Sequence, residues 1–258
     1  MLDGSGLSDE RMQQIAAEVG YSETAFIVAR AADAPTPRYR VRYWSPAAEV
    51  PFCGHATVAT AVALAERDGP GEVVFDTASG PIALRAHVAD GEVAVSFTSV
   101  TPEVRDLDDD VLTRLLSLLG IDRDDLDPRF PPREAFAGNW HPVVTITARE
   151  VFDQFRFAPV EVAALMREQG WLGTVTVLHT ISPSEFDARN LFPVGRITED
   201  PATGSAAASV GAYLRAIGHA ERSIRIHQGA HVRRPSLLFV VIPDSGGIEV
   251  SGGATRIR

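Results

Sequence analysis

The chain has 258 residues, enough for one large domain or two modest ones. Apolar residues make up 45% and charged residues 22%, an ordinary composition for a folded soluble protein. The formal net charge is −10, with Asp and Glu scattered apart from a short Asp108–Asp110 run. A field of that sign repels phosphate backbones and anionic membrane surfaces, so neither nucleic acid nor membrane is an expected partner. A single cysteine, Cys53, excludes an intramolecular disulfide framework and a multi-thiolate metal site. With no signal peptide and no apolar run near the roughly 18 residues that cross a bilayer, the expected location is the cytoplasm.

In chain order, the first element is a helix over Leu7–Val19, with Ser8 as N-cap, Met12, Ile15, Ala16 and Val19 on one face, and Gly20 as its stop. An extended run follows at Ala25–Ala29, then β-rich runs at Tyr39–Tyr43, Val73–Phe75 and Val93–Phe97. The second half offers strands at Val143–Thr147, Val175–His179 and Leu237–Ile242. It also offers a helix over about Ala158–Gln169, opened by Pro159 and stopped by Gly170.

The halves share one pattern. Moving 150 positions along the chain takes Glu49-Val50-Pro51-Phe52-Cys53-Gly54-His55-Ala56 to Glu199-Asp200-Pro201-Ala202-Thr203-Gly204-Ser205-Ala206. Glu, Pro, Gly and Ala recur in register, and the same offset takes Glu18 to Glu168, Gly20 to Gly170, Thr24 to Thr174 and Leu64 to Leu214. The chain therefore reads as a duplicated lobe, residues 1–100 and 101–258. After each motif comes a segment of small apolar residues, His55–Glu66 and Ser205–Ile217. A helix without a polar face is one wrapped by other elements. The expected fold class is α+β, with each lobe a curved, mainly antiparallel sheet or barrel around a central buried helix. Subtracting 150 from Gly138-Asn139 gives positions before residue 1, so the first lobe is expected to lack its opening strand and the N-terminus to be truncated.

Both central helices start at a glycine, where backbone N–H groups and the positive dipole end favour an anionic group or a developing enolate. Bland roles stand beside this one. Glu23 can be an exposed carboxylate, His55 a capping or packed imidazole, and Asp200 a cap for the helix near Gly204. His141, His179, His227 and His231 have no ligand spacing and read as structural or surface residues. No H-x-x-E-H, P-loop or G-x-G-x-x-G pattern occurs.

Three blocks, Ser22-Glu23-Thr24-Ala25-Phe26, Pro51-Phe52-Cys53-Gly54-His55-Ala56-Thr57 and Asp200-Pro201-Ala202-Thr203-Gly204-Ser205-Ala206, resemble the signatures of the PhzF family of phenazine-biosynthesis-like proteins. Gln228-Gly229 with Arg234-Pro235-Ser236 resembles a fourth, weaker block. The resemblance implies the two-lobed diaminopimelate-epimerase-like fold, with a final strand returning to the first lobe. It also implies an isomerase that moves a proton along a small unsaturated carboxylate without metal or organic cofactor, usually as a homodimer. By that resemblance Glu23 is the acid/base, His55 and Asp200 bind and polarise substrate, and Ser22, Gly54, Gly204 and Ser205 contact its anionic groups. Two alternatives remain at this stage. One is a thiol-dependent racemase or epimerase using Cys53, although its partner position holds Thr203, which cannot serve as a thiolate base. The other is an inactive homologue that binds a small acid.

Overall fold

The computed structural model describes residues 1–21, 23–31, 34–50, 52–89, 92–195 and 197–254. They form two compact units: residues 1–98 with those from Ser251 onward, and residues 99–250.

The first unit contains β1 (Leu2–Asp3), α1 (Asp9–Val19), β2 (Thr24–Ala31), β3 (Arg38–Trp44), β4 (Glu49–Val50), α2 (Gly54–Asp68), β5 (Gly71–Thr77), β6 (Gly80–Ala89) and β7 (Glu92–Thr98). Its strands lie in the order β1-β2-β3-β5-β6-β7, with β4 hydrogen-bonded to the end of β3. Where the start of β2 pairs with the end of β3, the side chains alternate between two buried faces. Ala25, Val41 and Tyr43 pack with Ala56, Ala61, Leu64 and Ala65 of α2. Phe26 and Trp44 pack with Met12 and Ala16 of α1 on the other face.

The second unit contains β8 (Glu103–Asp106), α3 (Asp109–Leu119), β9 (Arg133–Phe136), β10 (Trp140–Ile146), α4 (Arg149–Gln154), α5 (Pro159–Gln169), β11 (Val175–Ser182), β12 (Glu185–Leu191), β13 (Glu199–Asp200), α6 (Gly204–Ala216), β14 (Ser223–Gln228) and β15 (Ser236–Val241). The last strand, β16 (Glu249–Gly253), starts in this unit and passes at Ser251 into the first. Strand order here is β15-β14-β12-β11-β10-β9-β8, with β13 hydrogen-bonded to β12.

The duplication extends to the hydrogen-bond ladders. The series β1–β2 parallel, β2–β3 antiparallel, β3–β5 parallel and β5–β6 antiparallel recurs as β10–β11, β11–β12, β12–β14 and β14–β15 with the same senses. Helices α1 and α5 are 150 positions apart and equally long, ending at Gly20 and Gly170 in the left-handed conformation. Ser8 caps α1 by accepting from the Arg11 N–H, and Pro159 occupies the first turn of α5.

One expectation needs correction. The place of the first lobe's opening strand is not empty, because β1 pairs in parallel with Phe26 and Ile27 of β2. It is a two-residue strand where its counterpart β10 has seven residues. The exposed Asp108–Asp110 run starts a helix with no counterpart among the expected elements. The Asp108 carboxylate accepts from the N–H groups of Asp110 and Val111, and Asp109 and Asp110 sit in the favourable first turn of α3.

The central helices differ in degree of enclosure. In α6 every residue from Ala206 to Leu214 is buried, and the helix packs against β8, β9, β10 and β15. Gly211 shows why the residues are small: a Cβ there would stand 2.8 Å from Ile248 and 2.9 Å from Val240. In α2, Ala59 and the polar last turn from Glu66 to Asp68 are exposed, so this helix is covered over most of its surface and not all round.

Candidate active site

The first unit gathers three reactive side chains at the start of α2. Glu23 immediately precedes β2, and Cys53 is the N-cap of α2. His55 is the second residue of that helix. His55 Nε2 lies 3.0 Å from Glu23 Oε2. The Cys53 thiol donates to the same carboxylate oxygen at 3.4 Å and lies 3.5 Å from His55 Nε2. The Glu23 side chain is 20% exposed and that of His55 35%. The carboxylate is thus sheltered but open to a small molecule, the compromise a proton-transferring group needs.

A second hydrogen-bond set fixes the helix start. Thr57 Oγ1 donates to the Cys53 carbonyl at 2.8 Å and pairs with the Tyr43 hydroxyl at 2.6 Å. The Thr57 of the Pro51–Thr57 block therefore ties α2 to β3. Burial, the dominant effect, pushes the Cys53 thiol up despite the nearby imidazole. A thiolate base needs the opposite shift, which counts against the thiol-dependent alternative.

The second unit builds a different set at the equivalent place. Asp200 Oδ2 accepts from Thr203 Oγ1 at 2.8 Å, and Asp200 Oδ1 accepts from the Ala202 N–H at 3.4 Å. Asp200 therefore braces the turn ahead of α6 without capping it; the N-cap is Thr203, whose side chain makes no cap bond. Gln228 locks this turn by accepting from the Thr203 N–H and donating to the Asp200 carbonyl and to Thr203 Oγ1. Ser236 donates to the Pro201 carbonyl at 2.6 Å. The weak fourth block is thus the scaffold of the third.

His141 has a larger part than its sequence spacing gave it. It is fully buried, and its pKa falls to about 4 because burial disfavours the cation. Its Nδ1 lies 2.9 Å from the Thr174 N–H, 3.1 Å from the Thr174 carbonyl oxygen and 3.0 Å from Thr174 Oγ1, while Nε2 lies 3.1 Å from Ser205 Oγ, so the ring bridges Thr174 to Ser205. Thr174 and Thr176 both donate to Asn190 Oδ1, which fixes the near side of the chain. Gly173 closes it, since a Cβ there would lie 2.4 Å from the His141 ring. The other three histidines are bound to structural partners: His179 to the Ile146 carbonyl, His227 to Glu185, and His231 beside Asp153.

The repeated Glu of the motif is an anchor in both units. Arg42 of β3 makes a two-pronged pair with Glu49 at 2.6 and 2.8 Å. Arg189 of β12 pairs with Glu199 at 2.6 Å, and both are buried. Each arginine fastens a two-residue strand that delivers the chain to a central helix. Around these matching frames the chemistry diverges: by the 150-residue offset, Glu23 corresponds to Gly173, Cys53 to Thr203 and His55 to Ser205. In these three pairs the titratable side chains lie in the first unit, and the second has glycine or a hydroxyl in their place. Of the expected site residues, Glu23, His55 and Gly54 therefore meet in the first unit, and Asp200, Gly204 and Ser205 in the second. Ser22 lies outside the described residues, as does Pro51.

A family model described as phenazine biosynthesis-like protein matches residues 1–258. The chain belongs to the PhzF family. It is 30% identical to the trans-2,3-dihydro-3-hydroxyanthranilate isomerase of Pseudomonas chlororaphis over 92% of this chain and 81% of that protein. It is also 30% identical to an uncharacterized isomerase of Escherichia coli K12, again over 92% of this chain and 81% of the relative. The fold matches a crystal structure of a PhzF-family protein from Bacillus anthracis with a TM-score of 0.82, at 24% identity over 99% of this chain and 89% of that one. This PhzF-family chain is accordingly an isomerase with the epimerase-like fold. Among its described residues no helix is long and apolar enough to cross a membrane.

Proposed function

We propose that the protein shifts a proton along a small unsaturated carboxylate, with the Glu23 carboxyl group removing and returning it. The observation that carries this reading is the sheltered Glu23 carboxylate, held at the N-terminus of α2 by His55 and the Cys53 thiol. In its ionised form Glu23 takes the proton from carbon. The resulting carboxylic acid delivers it at the other end of the conjugated system, so no redox or group-transfer partner is required. His55 and Asp200 bind and polarise the substrate. Gly54, Gly204, Ser205 and Ser22 receive its anionic groups, supported for the helix starts by the direction of their dipoles. Neither N-cap residue, Cys53 or Thr203, makes a side-chain capping bond to its helix, and Ser205 Oγ is held 3.1 Å from His141 Nε2. Family membership supports each role, and supports a cytoplasmic homodimer that uses neither metal nor organic cofactor.

The chemistry named for the Pseudomonas chlororaphis relative makes dihydro-hydroxyanthranilate-like acids the first substrates to try. The reaction should incorporate solvent deuterium at the carbon that receives the proton, read by mass spectrometry in D₂O. Turnover of an unsaturated carboxylate without any solvent label would instead mean that the proton never passes through an exchangeable carboxyl group.

A further inference from the structure

We infer that Glu23, Cys53 and His55 form a binding site for a soft divalent cation of the zinc type. Their donor atoms lie within 4.8 Å of one another, and the separate distances are more telling than that limit. A tetrahedral zinc ion bound at the usual 2.3 Å to sulfur and 2.0–2.2 Å to nitrogen and oxygen holds its sulfur about 3.6 Å from each partner. It holds nitrogen and oxygen about 3.3 Å apart. Here Cys53 Sγ is 3.5 Å from His55 Nε2 and 3.4 Å from Glu23 Oε2, and those two atoms are 3.0 Å apart. Three atoms of three different ligand types thus trace one face of the tetrahedron, slightly contracted.

The donor set selects the metal. Thiolate, imidazole and carboxylate suit zinc, whereas calcium and magnesium call for oxygen ligands alone. One carboxylate and one thiolate balance the two charges of the ion, so the occupied site is neutral beside the positive end of α2. Binding breaks the Cys53 S–H bond, forms a metal–sulfur bond and releases the proton to solvent. Sγ stands 3.6 Å from Nδ1 and 3.5 Å from Nε2, so the imidazole must turn about its Cβ–Cγ bond to aim a lone pair at the ion. The 35% exposure of His55 leaves room for that. Three protein ligands leave a fourth position open to water. If Glu23 is the acid/base, as proposed above, the ion occupies it and zinc is an inhibitor of turnover; the site itself stands on the geometry alone.

Cobalt(II), a spectroscopic substitute for zinc, tests the site without any substrate. Titrated into the reduced, chelator-treated full chain, it should bind with saturation, give an intense near-ultraviolet thiolate-to-cobalt band, and be displaced by zinc. Cys53→Ser should abolish the band and weaken zinc binding by at least about 10–100-fold, the loss that even outer partners of a metal ligand produce. Glu23→Gln and His55→Gln should weaken binding while keeping the band. An absent band at saturating cobalt, or zinc affinity undiminished in Cys53→Ser, would overturn the site. A normal cobalt spectrum together with full deuterium exchange by Glu23→Gln would leave the site standing and remove only the catalytic reading.

Discussion

Replacing Glu199 by Gln removes the charge from one of the two motif glutamates and leaves its shape. In the wild type Arg189 Nε and Nη2 both donate to Glu199 Oε1, at 3.2 and 2.6 Å, while Nη1 donates to the carbonyls of Phe152 and Phe155. The two side chains are only 5% and 8% exposed. The variant therefore keeps a neutral acceptor but leaves a buried guanidinium without a counter-charge, a defect worth about 3–5 kcal/mol. For a chain of this size that lowers the melting temperature by about 6–20 °C. Glu49→Gln is the internal control. It breaks the matching pair with Arg42 at a site where the side chains are 35% and 26% exposed, and such pairs contribute about 0–1 kcal/mol. Differential scanning calorimetry on both variants measures the contrast. Equal small shifts would refute the argument that burial makes the second anchor the stronger one.

Two further outcomes follow from the site. The His141 pKa drops from 6.5 to about 4 on folding, so below pH 6.5 the unfolded chain binds a proton that the folded one refuses. This group's stabilisation is complete above pH 6.5 and is lost as the pH falls toward 4, by about 3 kcal/mol in all. Denaturant unfolding from pH 7 to 4 should show that slope, and His141→Gln should flatten it. Because burial keeps the Cys53 thiol protonated, iodoacetamide at neutral pH should label the native chain far more slowly than the unfolded chain; mass spectrometry showing equal rates would restore the thiolate alternative.

Much of this was legible because duplication writes the same physics twice. The E-x-P-x-x-G-x-A offset located α2 and α6, both starting at a motif glycine, and the Ser8, Gly20, Pro159 and Gly170 signals gave α1 and α5 nearly to the residue. Helix α3 was missed because an Asp-rich cap looks like any acidic surface run until a buried Leu112, Leu115, Leu116 and Leu119 face is matched to it. The short β1 was missed because two residues carry no periodicity. The part of His141 is hidden in the sequence for a different reason. A lone histidine has no spacing, and its significance comes from Thr174 and Ser205, 33 and 64 residues away. The anchoring role of Glu49 and Glu199 was hidden likewise, since their arginines lie on neighbouring strands.

The central claim is that Glu23 carries the proton. Glu23→Gln keeps the length and hydrogen-bonding reach of the side chain and removes its titratable group. With a dihydro-hydroxyanthranilate-like acid as substrate, solvent-deuterium incorporation should fall by about 10²–10⁴, while equilibrium binding of the same acid persists through the remaining groups. Cys53→Ser should lose far less. Undiminished deuterium incorporation by Glu23→Gln would contradict the account.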